Sequence, residues 1–99
     1  MHHFIVNASI QIVPIVMDRH PYVWVDEAIA IIQQSGIEYE VGPFATVIEG
    51  KYDAVMQVIQ AINEHLYQLG CAEWIQNIQL QIRSNTDITG LEKIQKFQQ

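Results

Sequence analysis

Cysteine, basic residues and long apolar runs are all scarce in this sequence of 99 residues. The one cysteine, Cys71, cannot form an internal disulfide, so we expect a reducing compartment and a cytoplasmic protein. Five Lys and Arg stand against eleven Asp and Glu, and this net charge of -6 argues against binding nucleic acid or anionic membranes. We also expect neither a signal peptide nor a membrane span, because no apolar run reaches the ~18 residues that a span needs.

Motifs for catalysis and for metal binding are also missing. The sequence has no Cys-x-x-Cys pair, no Gly-x-Gly-x-x-Gly string and no lysine-containing phosphate loop. His20 and His65 have no ligand partners at metal-binding spacing, and Cys71 follows Gly70 at a predicted helix end, as a small packing residue does. We therefore expect no metal, no cofactor and no enzymatic activity.

The composition favours one folded domain over residues 1–99. Hydrophobic residues make up 49% of the chain and charged residues 16%, which is enough apolar material for a packed core. A chain of this length buries only ~65% of the surface that its unfolded form exposes. Because further burial would stabilise it, we expect a homo-oligomer.

Apolar periodicity predicts the element order strand, helix, two strands, helix, strand. Alternating residues predict strands, and a helical repeat predicts one helix between Pro21 and Gly36 and a second that ends at Gly70. The strands are expected over 4–15, 37–41, 44–49 and 72–83, and the second helix over 52–69. Gly50 is expected to break the third strand, and a short helix through Leu91, Ile94 and Phe97 is expected in the tail.

This order predicts an α+β fold, the ferredoxin-like βαββαβ sandwich. It has a four-stranded antiparallel sheet with two helices on one face, and its first and last strands lie side by side. In the first helix we expect an inward stripe of Val25, Ala28, Ile29 and Ile32, with Trp24 off that stripe.

The face of the sheet without helices, here called the open face, is predicted to carry uncharged polar groups. The two long strands place Asn7, Ser9 and Gln11 beside Asn77, Gln79 and Gln81. Amides donate and accept hydrogen bonds, so they can bind each other, a ligand or another subunit. We interpret this face as an interface or a pocket lining; the alternative is a solvated face of a glutamine-rich protein.

Two functions of ferredoxin-like domains do not fit these residues. RNA recognition needs aromatic residues on the central strands, where the first strand has Asn7, Ser9 and Gln11. An acylphosphatase needs an arginine in an anion cradle after the first strand, and Arg19 lacks the glycine-rich surroundings of such a cradle.

Three further residues are candidates for contact with a small ligand, each with a structural alternative. Trp24 can face a ligand or fill a core or interface. Phe44 can stack on a ring or close the predicted hairpin. Glu49 can pair with a cation or accept hydrogen bonds from the backbone near Gly50.

The hairpin carries a resemblance to a known family. The string Tyr39-Glu40-Val41-Gly42-Pro43-Phe44-Ala45-Thr46-Val47-Ile48-Glu49-Gly50, with Ile12-Val13-Pro14-Ile15 upstream, resembles the small thiamine-binding-protein family over residues 8–93. The family's Pro-Met-Gly-Thr run stands here as Pro43-Phe44-Ala45-Thr46, and Gln11 occupies a position where the family often has Ser. The resemblance implies a ferredoxin-like fold, dimers and tetramers formed through sheet faces, no catalysis, and binding of thiamine or its hydroxymethylpyrimidine part.

Residues and resemblance together predict a non-enzymatic binding protein for thiamine or a related pyrimidine, acting as a sheet-packed dimer or tetramer. The expected contacts are Ser9, Gln11, Trp24, Phe44, Thr46, Glu49 and Asn77. The alternative is a structural or regulatory interaction module whose amide face joins subunits and binds no small molecule.

Overall fold

A computed structural model describes residues 4–83 of the chain and contains the six predicted elements in the predicted order. The tail helix expected through Leu91, Ile94 and Phe97 lies outside the described residues. The elements are β1 (Ile5–Pro14), α1 (Pro21–Ser35), β2 (Glu38–Val41), β3 (Thr46–Lys51), α2 (Tyr52–Gln68) and β4 (Trp74–Gln81).

The four strands form one antiparallel sheet in the order β2-β3-β1-β4. The two long strands, β1 and β4, are neighbours, with Asn7 opposite Gln81 and Gln11 opposite Asn77. This arrangement confirms the predicted α+β ferredoxin-like fold, and within residues 4–83 β2 and β4 are the outer strands of the sheet.

The core lies between the helices and the face of β1 that carries Val6, Ala8, Ile10 and Ile12. From α2 it receives the predicted stripe of Val55, Val58, Ile59, Ile62 and Leu66, all of them buried. Side chains alternate across a strand, so the polar residues between the four apolar positions of β1 face the opposite way.

The helix ends follow from three local signals. Pro21 begins α1, and the ring of His20 accepts a hydrogen bond from the backbone N–H of Tyr22 at 3.2 Å. Gly36, with φ 77°, ends α1 in the left-handed conformation. At the end of α2, the N–H groups of Gly70 and Cys71 donate to the carbonyls of Tyr67 and Leu66, which is the Schellman arrangement.

The orientation of α1 differs from the prediction. Its buried residues are Trp24, Ala28 and Ile32, whereas Val25 and Ile29 are only half-buried. Trp24 is therefore on the inward stripe, because turning the helix by about one residue buries an indole, which has far more apolar area than a valine side chain.

Gly50 was expected to break the third strand, and this expectation was wrong. Gly50 lies within β3 and pairs with Val6 of β1. The side chain of Ile37 packs over it so closely that an added Cβ would lie 3.0 Å from Ile37 Cδ1. The glycine makes room for this contact, as glycines within strands do where another group approaches the backbone.

Candidate functional site

The open face extends across all four strands of the sheet. The strand registers align Glu38, Glu49, Asn7 and Gln81 in one row, and Glu40, Val47, Ser9 and Gln79 in the next. The amides of β1 and β4 thus continue into carboxylates on β2 and β3. Within residues 4–83 no helix lies on this face, since both helices pack against the other one.

Two amides of the open face bind each other. Asn77 Nδ2 donates a hydrogen bond to Gln11 Oε1 across 3.1 Å, between residues that are directly opposite on β4 and β1. Both side chains are reached by solvent, so the pair can exchange partners with a ligand or with a second chain. The geometry supports the inference that neutral amides on this face satisfy one another.

Two shallow hollows lie on the open face. One, of about 310 Å³, is lined mainly by Asn7, Ser9, Val47, Gln79 and Gln81. The other, of about 270 Å³, is lined mainly by Ser9, Gln11, Phe44, Asn77 and Gln79. Because they share Ser9 and Gln79, the hollows adjoin along the β1–β4 boundary. Each has about the volume of the smallest ligand sites in proteins, which begin near 300 Å³.

The carboxylates give the open face an electrostatic gradient. Glu49 lies between Asn7 and Glu38 in one row, and Glu40 is opposite Val47 in the next. The β2–β3 side of the face therefore carries three carboxylates and one cation, Lys51 opposite Ile5, and is acidic on balance, whereas the β1–β4 side is lined by amides. Sequence patterns predict Glu49 as a ligand contact but do not identify Glu40, which is opposite Val47 in the lining of the first hollow. The antiparallel register of the hairpin is the signal that could have identified Glu40.

Phe44 lies in the turn between β2 and β3 and borders the second hollow. The turn is closed by the N–H of Gly42, which donates to the carbonyl of Ala45 at 2.9 Å. The Phe44 ring is 81% exposed, so it does not close the hairpin by burial and is free to cover a molecule bound beside Gln11.

Trp24 and Thr46 lie on the other side of the sheet from the remaining predicted contacts. Thr46 is opposite Ile10, faces the helices and is 6% exposed. Trp24 is 1% exposed, and the Arg19 guanidinium lies 5.2 Å from the centre of its ring. Because side chains alternate along β3, Thr46 and Glu49 face opposite sides of the sheet. One small molecule on the open face therefore cannot contact the buried pair, Trp24 and Thr46, as well as the residues of that face.

The indole nitrogen of Trp24 is an unusual feature of the core. Its Nε1 is buried and has no hydrogen-bond partner in the structure described over residues 4–83. The same holds for Nε2 of Gln76, which is opposite Ile12 on the helix side of β4. Buried donors of this kind are commonly bound by an internal water molecule.

The reactive residue types lie apart from the open face. Cys71 packs in the core, where burial raises the pKa of its thiol, backbone hydrogen bonding at Glu73 partly opposes the rise, and the nearby charge of Asp18 adds to it. His65 Nε2 lies 2.7 Å from Glu27 Oε2, which links α2 to α1.

In the described part of the chain no three metal-binding side chains lie together, and no helix there is long and apolar enough to cross a membrane.

Comparisons with known proteins find relatives over nearly the whole chain. A family model described as thiamine-binding protein matches residues 8–98. A UPF0045 protein of Clostridium perfringens is 32% identical over 91 residues, which cover 92% of this chain and 95% of the relative. Among solved structures, a DUF77 domain from Bacillus cereus is 34% identical with a TM-score of 0.87, covering 95% of this chain and 90% of that one. A candidate thiamine biosynthesis/salvage protein from Thermotoga maritima is 30% identical with a TM-score of 0.83, covering 94% and 98%.

Proposed function

The chain belongs to the thiamine-binding protein family, and on this premise we propose that it binds thiamine or its hydroxymethylpyrimidine part on the open face, without catalysing a reaction. The observation that carries the proposal is the amide-lined pair of hollows along β1 and β4. The side of the open face that borders these hollows offers neutral hydrogen-bond donors and acceptors.

The two halves of thiamine match the two sides of the open face. An aminopyrimidine presents a donor beside ring acceptors, and the amides of Gln11 and Asn77 with the hydroxyl of Ser9 offer the complementary groups. The thiazolium carries a positive charge, so it is directed toward Glu49 and the acidic side. Phe44 supplies an aromatic face, which attracts a flat cation by ~0.5–2 kcal/mol.

Trp24 and Thr46 keep a supporting role in this proposal. Both are buried on the helix side of the sheet, where they fix the packing of α1 and β3 behind the open face. Direct contact of either residue with a ligand stays a prediction, because neither side chain lines the hollows.

We further propose that two copies pack through their open faces, as a dimer or as half of a tetramer, in the cytoplasm. Val13, Val47 and Ile75 are exposed apolar residues of this face, and covering them favours association. A second copy would also enclose hollows that are shallow in one subunit. The ligand would then lie between subunits, largely removed from water.

Calorimetry with ligand-stripped protein tests the binding proposal. We expect saturable heat with thiamine, and a loss of affinity of about tenfold in Gln11→Met, since a hydrogen bond contributes about 0.5–1.5 kcal/mol. Gln60→Met is the matched control, because it makes the same change at an exposed position of α2. No heat with thiamine or hydroxymethylpyrimidine at millimolar concentration would overturn the proposal.

An interaction module is the second candidate, and the Gln11–Asn77 hydrogen bond favours it. The two amides bind each other, as they would in a dry contact between subunits. In that case replacing Gln11 or Asn77 with a bulky apolar residue changes the mass of the assembly, and the unmodified protein gives no heat with either ligand.

A further inference from the structure

A cleft lies between the two helices, on the side of the molecule away from the open face. Residues 31–37, at the end of α1 and just beyond it, form one wall, and residues 54–61 of α2 form the other. This interhelical cleft has a volume of about 560 Å³, which is larger than either hollow of the open face. Ligand sites in proteins commonly occupy about 300–1,000 Å³, so its size suits a small molecule.

Small residues on α2 create the space for the cleft. Ala54 and Ala61 lie two turns apart on one side of the helix, with Val58 between them. An alanine side chain ends at Cβ, so it leaves room that a larger residue would fill. Glu27 and His65 bind each other across 2.7 Å nearer the other end of the helix pair. The helices are therefore bridged toward one end, and the cleft lies toward the other.

The apolar part of the cleft is held in place by the core and by the sheet. Val58 is buried, and Ile31 and Ile37 are half-buried against the core. Ile37 also packs closely over Gly50 of β3, where an added Cβ would lie 3.0 Å from Ile37 Cδ1. Ligand sites are typically preformed surfaces of this kind, and covering them removes apolar area from water.

The polar groups of the cleft carry no charge. The Ser35 hydroxyl donates to the Ile32 carbonyl at 2.6 Å and accepts from the Ile37 N–H at 3.2 Å. The exposed amides of Gln34 and Gln57 offer further donors and acceptors. Every residue that lines the cleft is neutral. A charged ligand would lose water there without gaining an opposite charge, and such a loss is costly.

We propose that the interhelical cleft is a second binding site, which takes a neutral, flat and mainly apolar molecule that carries an amide or a carbonyl group. Charge complementarity with the neutral lining sets the first property, and the amides of Gln34 and Gln57 set the last. The net charge of -6 attracts cations to the molecule as a whole, so a preference for a neutral ligand would come from the cleft itself. The site lies on the opposite side of the sheet from the hollows and is independent of thiamine binding.

Fluorescence of the full chain with prodan tests the site. Prodan is a neutral naphthyl ketone whose emission shifts to the blue in apolar surroundings, and we expect saturable binding of one dye per chain. Ala61→Leu should weaken this binding at least about tenfold, because the larger side chain occupies the space of the dye. Ala61 is exposed and leucine is a good helix former, so the variant should fold. Gln60→Leu is the matched control, since it makes a leucine substitution at the adjacent exposed position of α2, outside the cleft lining, and should leave the affinity unchanged.

Competition for prodan on the unmodified protein tests the class of ligand and the location of the dye. Naphthamide, which is neutral and flat and carries an amide, should displace prodan. The naphthylmethylammonium cation should need a concentration at least about tenfold higher. Thiamine at millimolar concentration should leave the dye bound, because the open face is on the other side of the sheet.

Four results would each overturn the proposal. Displacement of prodan by thiamine would place the dye on the open face, and equal affinity in Ala61→Leu would place it outside the cleft. Equal competition by the cation and by naphthamide would contradict the neutral class of ligand. The absence of saturable binding would mean that the cleft does not take such a molecule, as when another segment of the chain or a second copy covers it.

Discussion

At the scale of single residues, the chemistry of Cys71 is set by its surroundings. The thiol packs in the core below α2 and donates to the Glu73 carbonyl over 3.7 Å. Burial raises its pKa above the ordinary 9.0, so near neutral pH it holds its proton and is a poor nucleophile. The placement agrees with the packing role expected for this residue.

Alkylation with iodoacetamide at pH 8 measures this protection. We expect Cys71 in folded protein to react at least about tenfold more slowly than in urea-unfolded protein. Gln60→Cys supplies an exposed reference thiol on α2 in the same fold. Because the folded pKa is raised, the neutral thiol contributes stability that is fully present below pH 9.0 and is lost as the pH rises through the folded pKa. Equal rates at both cysteines would contradict the expectation.

At the scale of elements, the orientation of α1 makes Trp24 contribute more than Val25 to the stability of the fold. Trp24 is almost fully buried under the Arg19 guanidinium, whereas Val25 is half-buried. We expect Trp24→Ala to lower the free energy of unfolding by about 3–5 kcal/mol and Val25→Ala by about 1 kcal/mol, measured by urea denaturation. A loss of stability in Val25→Ala as large as the loss in Trp24→Ala would indicate that Val25 faces the core, as the sequence pattern predicted.

The elements themselves were predictable, because their signals are local. Alternation in β1 and the stripe of α2 repeat over many residues, and Gly36 and Gly70 mark the helix ends that they form. The alternation of residues along β1 and β4 also predicted that the open face carries amides. The position of its acidic side depends on the pairing of β2 with β3, which the alternation of residues along each strand does not supply by itself.

Two errors have a common physical origin in long-range packing. Trp24 and Val25 are adjacent apolar residues, so periodicity cannot choose which of them faces the core. Gly50 carries the local signal of a strand end, but it pairs with Val6 within β3, and the approach of Ile37 from the connection between α1 and β2 explains why a glycine stands there. In both cases a contact distant in sequence decides a local conformation.

At the scale of the whole molecule, the open face is the surface on which we propose that two sheets stack. The hollows lie along the β1–β4 boundary of this face, so they would lie within the proposed contact. A ligand held there would stabilise the assembly, because it would bind the associated form in preference to the free subunit.

The net charge of the molecule leads to a prediction about ligand choice. With a formal charge of -6 and Glu49 beside the amides, the protein attracts a cation and repels an anion. We expect calorimetry to give thiamine a higher affinity than thiamine diphosphate, with the difference narrowing as salt shortens the Debye length from about 30 Å at 0.01 M to about 8 Å at 0.15 M. Neutral hydroxymethylpyrimidine is the control and should respond little to salt. Tighter binding of the diphosphate at low salt would show that a basic site holds the ligand, and the acidic side of the open face would then have no part in recognition.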